Sequence, residues 1–176
     1  FFFKQKTAYE IRNCDWSSDV CSSDLHCLFV GSGDLDVELR RKAEHLGLPV
    51  TFAGFLNQTQ LATAYVAADA LVLPSDCLET WGLVVNEAMA CGLPIIASDQ
   101  VGCVDDLVQQ SMTGLVYPFG DIQALSNAMG QLVDNPVAAS QMGINAYKLI
   151  HSNYSLARAA QGISKASAFV FCRSEV

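Results

Sequence analysis

From His26 onward, apolar residues arrive in two alternating rhythms. Short uninterrupted apolar runs at 27–30, 50–53, 70–73, 94–97 and 115–117 read as strands, each set off by turn residues. Between them the period lengthens to that of a helix. Residues 35–46 place Leu35, Leu39, Ala43 and Leu46 on one face, with Glu38 and Lys42 as an i,i+4 pair outside. Further helices are expected at 58–67 and 82–91, the latter stopped by Gly92 and Pro94. Asp121 caps one running to about residue 133, Pro136 opens another to about 151, and Ser155 caps the last. Short apolar strands alternating with helices predict an α/β domain: a Rossmann-like parallel sheet with helices on both faces. No repeat or low-complexity linker interrupts it, so 26–176 is read as one domain.

The helix at 82–91 is unusual. Leu83, Val84, Val85, Ala88, Met89, Ala90 and Cys91 leave it no polar face, and a helix apolar all round is normally buried. Glu87 within it would need a partner, because an isolated buried charge is very costly. A nucleotide sugar supplies a physical reason. The unpaired N–H groups and dipole at Gly82, Leu83 and Val84 suit a phosphate, and Gly82 lets a ligand approach the backbone. Glu87 stands five residues on, about 7 Å along the axis, and leans back toward the helix start. A carboxylate there can accept hydrogen bonds from both hydroxyls of a ribose. Glu79, on the preceding loop, falls on the other side of the phosphate, where a sugar would lie.

The run Glu79-Thr80-Trp81-Gly82-Leu83-Val84-Val85-Asn86-Glu87 resembles the Glu-x7-Glu motif of family 4 of the retaining glycosyltransferases, which have the GT-B fold. Leu73-Pro74-Ser75, the continuation Ala88-Met89-Ala90-Cys91-Gly92-Leu93-Pro94 and Ser98-Asp99 match in order, and similarity extends over about 28–167. The resemblance implies a donor-binding lobe for a nucleoside diphosphate sugar, with retention of configuration and no metal or other cofactor. Glu79 would contact the donor hexose and act in catalysis, Glu87 the ribose, and Gly82-Leu83-Val84 the diphosphate. The loop bordering the base would bring Phe55 and Asn57, and Gly31 would be a close-approach turn.

Composition adds boundaries. A net charge of −8 argues against nucleic acid or an anionic membrane as the main partner of this chain. No apolar run is long enough to span a bilayer. The seven cysteines form no C-x-x-C pair or metal spacing, and are read as reduced thiols packing as small hydrophobes in a cytoplasmic protein. Gly31-Ser32-Gly33 has Asp36 where a third glycine would complete G-x-G-x-x-G, a poor dehydrogenase fingerprint. Asp34 and Asp36 could form a metal-binding D-x-D, but caps at a helix start explain them more simply. Asp105-Asp106 reads as a solvated turn or helix start, and the scattered His26, His45 and His151 receive no role.

Residues 1–25 lack a periodicity that continues into the domain. They resemble a conceptual translation of a sequencing-library adapter, to be excluded from fold reasoning; a disordered natural tail is the alternative. This segment holds four acids and three bases, so the remainder, with 14 acids and 7 bases, stays at −7. No Lys or Arg occurs from 43 to 147. A departing diphosphate usually needs a cation, and the resemblance places an Arg and a Lys in a first strand-loop-helix that should precede His26. On that reading the chain is the C-terminal half of a GT-B fold without its first strand and helix, its partner the N-terminal acceptor-binding domain of the same parent. It would be inactive alone, with open central strand edges that aggregate. The alternative function is a non-catalytic nucleotide-sugar-binding or regulatory module.

Overall fold

The computed structural model describes residues 2–5 and 25–172. Six strands form one sheet: β1 Phe2–Gln5, β2 Leu25–Val30, β3 Val50–Gly54, β4 Ala70–Leu73, β5 Ile95–Ser98 and β6 Gly114–Tyr117, in the order β3-β2-β1-β4-β5-β6. The helices are α1 Asp36–Leu46, α2 Gln58–Ala67, α3 Leu83–Ala90, α4 Val104–Leu107, α5 Ile122–Asp134, α6 Pro136–Asn153 and α7 Leu156–Cys172. Every strand expected from the apolar runs is present within two residues at each end. The short α4, which starts at the Asp105-Asp106 segment, is the one helix not drawn as an element from sequence.

β2 with β3, β4 with β5 and β5 with β6 pair in parallel. β1 is antiparallel to both of its neighbours, so β2 and β4 run the same way. This corrects the exclusion of the whole leading segment from the fold. Phe2–Gln5 lies at the centre of the sheet, with Phe2 opposite Leu28 on one side and Leu71 on the other. The physical reason is the backbone. A gap between β2 and β4 would leave two rows of N–H and C=O groups unpaired, and any extended segment in reach satisfies them. Leu25 likewise belongs to β2. The adapter reading of the rest of that segment concerns residues 6–24, outside the described residues.

Alternation along β4 and β5 sends side chains to two cores. Leu71, Ile95 and Ala97 pack with Val85, Met89, Leu107, Ala146 and Ile150 from α3, α4 and α6. Val72 and Ile96 face the other way and join Leu115, Tyr117, Met129, Leu132 and Val133. The β4–β6 half is therefore covered on both faces. The α1 half is not: Leu35 is 61% and Leu46 52% exposed, and α1 buries no residue. Its apolar stripe is real, but it is not a core face among the described residues.

Local details of α1 also differ from expectation. Neither Asp34 nor Asp36 caps it; Leu35 is the N-cap and makes no side-chain cap bond. Asp36 instead pairs with Arg40 at 2.8 Å, in place of the expected Glu38–Lys42 pair. An acid in the first turn still favours the helix dipole. Of the cysteines whose surroundings are described, only Cys103 is buried, while Cys77 and Cys91 are exposed. Packing as small hydrophobes therefore holds for Cys103 and fails for those two.

Candidate functional site

The carboxyl ends of β2, β3, β4 and β5 share one edge of the sheet. Ligands of open α/β sheets bind beyond this edge. Gly31 follows β2 with φ +113°, and its N–H donates to the Gly54 carbonyl at 2.8 Å, joining the first two turns. Phe55 projects from the second turn, 83% exposed. Asn57 has a defined structural task. Its side chain accepts from the Gln60 N–H at 3.0 Å, while Gln60 accepts from the Asn57 N–H at 3.1 Å. This capping box starts α2, so the Asn57 side-chain oxygen is engaged at the helix start.

The loop from β4 to α3 is clamped by the loop after β5. The Gly102 N–H donates to the Glu79 carbonyl at 3.2 Å and the Cys103 N–H to the Trp81 carbonyl at 2.9 Å. The Ser98 hydroxyl donates to the Ser75 carbonyl. A Cβ on residue 102 would collide with the Thr80 carbonyl, so the close approach needs glycine. From this loop the Trp81 indole N–H donates to Asn86 Oδ1 on the following helix, α3, at 2.8 Å. Glu79 is half-buried and borders an open groove of about 480 Å³, which Pro74, Ser75, Asp76, Leu78 and Phe119 also line.

Gly82 is the N-cap of α3, with φ +92°, and no side chain caps the helix. A Cβ there would meet Val101 Cγ1 at 3.0 Å and Leu73 Cδ2 at 3.2 Å. Its glycine is thus required by the protein's own packing and backbone, whatever approaches from outside. Leu83 is exposed and Val84 half-buried, so the helix start faces the edge.

The expectation that α3 is buried all round is corrected. Val85, Ala88 and Met89, spaced i, i+3, i+4, form its buried stripe, while Leu83 and Glu87 are exposed. Glu87 therefore needs no buried counter-charge. It has a neutral partner instead: the Tyr65 hydroxyl donates to Glu87 Oε2 at 2.7 Å. Sequence reasoning missed Tyr65, which lies 22 residues earlier on α2. Burial first, and then the bond to Glu87, hold the Tyr65 proton far above the ordinary tyrosine range. The Cys91 thiol is also raised, by burial and then by the Glu87 charge.

The structure thus brings Gly82, Leu83, Val84 and Glu87 together on α3, with Glu79 on the loop just ahead. Gly31, Phe55 and Asn57 stand on neighbouring turns of the same edge. Lys148, the first Lys or Arg after Lys42, lines a cavity of about 600 Å³ with Tyr65, Asp69 and Cys91 beside the amino ends of β4 and β5. No cluster of three or more His, Cys, Asp or Glu side chains among the described residues is placed to hold a metal. No helix among them is long and apolar enough to cross a membrane.

A largely parallel sheet with helices on both faces of its β4–β6 half, and loops gathered at its carboxyl edge, belongs to the Rossmann-like α/β class. Comparison with known proteins narrows the class. Residues 18–149 match the model of the glycosyl transferases group 1, and the chain belongs to that family. It is 33% identical over 126 residues to a GDP-mannose-dependent monoacylated alpha-(1-6)-phosphatidylinositol monomannoside mannosyltransferase of Corynebacterium glutamicum. That match covers 68% of this chain and 32% of the relative, so the chain spans about a third of the relative's length. The sucrose-phosphate synthase of Thermosynechococcus elongatus superposes with a TM-score of 0.71 at 33% identity, over 83% of this chain and 38% of that one. HepE of Anabaena, solved in complex with UDP, gives 0.72 at 26% identity, over 81% and 40%. These neighbours are GT-B glycosyltransferases.

Proposed function

We propose that the chain is the donor-binding part of a glycosyltransferase that moves a sugar from a nucleoside diphosphate sugar to an acceptor, with retention of configuration and without a metal. The observation carrying this reading is α3: an uncapped helix start facing the carboxyl edge, followed by an exposed carboxylate on the same helix and preceded by Glu79 at a groove. The diphosphate rests against Gly82, Leu83 and Val84, where backbone N–H groups and the helix dipole meet negative charge. Glu87 accepts from the ribose hydroxyls, and Glu79 orients the hexose in the groove. Phe55, exposed on the next turn, borders the base. Relatives named for GDP-mannose and a neighbour solved with UDP support a nucleoside diphosphate donor.

The test is calorimetric titration of the 176-residue chain with UDP and with GDP, with and without EDTA. Binding of one of them, indifferent to EDTA and weakened roughly tenfold or more by Glu87→Ala, is the expected result. If neither nucleotide binds, the donor-site reading fails.

One observation favours a second reading. The stretch 43–147, which forms the whole carboxyl edge beyond β2, contains no Lys or Arg to stabilise a departing diphosphate. A non-catalytic nucleotide-sugar-binding module needs no such cation. Sugar transfer or donor hydrolysis by the parent chain decides between the two.

A further inference from the structure

Tyr65 and Glu87 are joined across two helices, and the details of the joint are informative. The Tyr65 ring is 3% exposed and packs in the core with Val85, Ala88 and Met89, so its position is fixed by close packing. Its hydroxyl donates to an exposed carboxylate at 2.7 Å, and the residue also lines the cavity it shares with Cys91 and Lys148. Glu87 Oε1 has no partner among the described residues, and no cation stands near in sequence. A carboxylate offers about four lone-pair sites. An Arg partner would occupy both oxygens and neutralise the charge; a phenol takes one site and leaves the charge intact. Because burial and the carboxylate both hold its proton, Tyr65 remains a donor across the neutral range.

Resting on the donor-site reading above, we infer that Tyr65 is a positioning residue for ribose recognition: its hydroxyl fixes the rotamer of Glu87 so that the remaining carboxylate sites meet a vicinal diol. Tyr65 touches no ligand in this scheme. It acts through Glu87, and α2 thereby contributes to donor affinity from its last turns as well as from the turn ahead of it.

The experiment is a double-mutant cycle in nucleotide affinity on the full 176-residue chain. It uses whichever of UDP and GDP binds, together with its 2′,3′-dideoxy form. Tyr65→Phe keeps the ring and removes the donor; Glu87→Ala, at an exposed position, removes the acceptor. For the ribose nucleotide, Tyr65→Phe alone should weaken binding roughly fivefold to tenfold, the scale of one hydrogen bond. It should change nothing in the Glu87→Ala background, and nothing for the dideoxy nucleotide in either background. A purely structural role predicts equal losses for both nucleotides. Equal losses, or an unchanged ribose affinity in a folded Tyr65→Phe chain, overturn the inference while leaving the donor site standing. Should Tyr65→Phe not fold, wild type against Glu87→Ala with the two nucleotides still decides: a loss that ignores the diol removes the ribose contact that Tyr65 is inferred to aim. Failure of the unmutated chain to bind either parent nucleotide overturns the donor site itself, and the inference with it.

Discussion

Gly82 shows how one residue can meet two demands at once. Its φ of +92° lies where side chains are strained, and a Cβ would press on Val101 and Leu73. Gly82→Ala should therefore cost roughly 2–4 kcal/mol, strain and overpacking together, read from urea unfolding midpoints. Gly31→Ala shares only the strain, since nothing lies within 4 Å of a Cβ there. Equal losses at the two positions would remove packing from the explanation. The Glu79–Glu87 spacing was legible in the sequence because it is local. The exposure of Glu87 was not, since apolar neighbours along a helix do not say which flank is covered. Tyr65 was invisible for a related reason: a tyrosine among alanines on α2 reads as core, and it is core, with a hydroxyl that bonds Glu87. Two buried acids of this kind also set a pH limit. The Cys103 thiol, pushed up to about 11 from 9.0 by burial above all, and the Tyr65 phenol, raised from 10.0, stay protonated in the fold after the unfolded chain has ionised. Above pH 9 the unfolded state thus binds fewer protons, and stability falls as pH rises toward 11, with Tyr65 adding its share above 10. Melting temperatures from pH 8 to 11 should decline, and Cys103→Ala should flatten the slope; an unchanged slope would acquit the thiol.

Elements differ in how well they are tied down, and the site is built on the firm ones. α3 lies between β4, β5 and α6 with its stripe at zero exposure, whereas every described side chain of α7 from 156 to 170 is exposed and α1 buries none. Amide hydrogen exchange should therefore be slowest in α3, β5 and α6 and markedly faster in α1 and α7, because local opening is easiest where least apolar surface is buried. Protection of α7 equal to that of α6 would mean that α7 docks in solution. Periodicity gave the existence and type of these helices, and Asp121 as a cap and Pro136 as an opening residue gave two of their starts, the second capped by Asn135 just ahead of it. It could not distinguish a covered stripe from an uncovered one, because Leu35 and Leu39 form the same pattern whether or not something packs on them. The Asp36–Arg40 pair was missed for a smaller reason: several i,i+4 pairs were available on α1, and spacing alone does not choose among them.

At the scale of the whole molecule, the sheet depends on four residues far from the rest in sequence. Five parallel strands were readable from apolar runs and the intervening helices. The sixth was not, because Phe2–Gln5 carries no alternation that marks a strand, and what recruits it is the vacancy between β2 and β4. Strand pairing is a backbone interaction, so a non-local gap can outweigh a weak local signal. The expected cost of an open sheet, aggregation through unpaired edges, is thereby converted into a sharper prediction. Deleting residues 1–5 would leave β2 and β4 with facing unpaired edges in the middle of the sheet. The shortened chain should lose the cooperative thermal transition of the 176-residue chain and self-associate in sedimentation at micromolar concentration. A second outcome is informative in the opposite sense: a monomeric, equally cooperative shortened chain would mean that β2 and β4 find another way to satisfy their backbones, and that β1 contributes nothing in solution. Because the Glu79 loop leaves the sheet directly from β4, loss of the central strand should weaken nucleotide binding together with stability, in proportion to the fraction of chain unfolded. A fall in affinity at full folding would instead tie β1 to the geometry of the site itself.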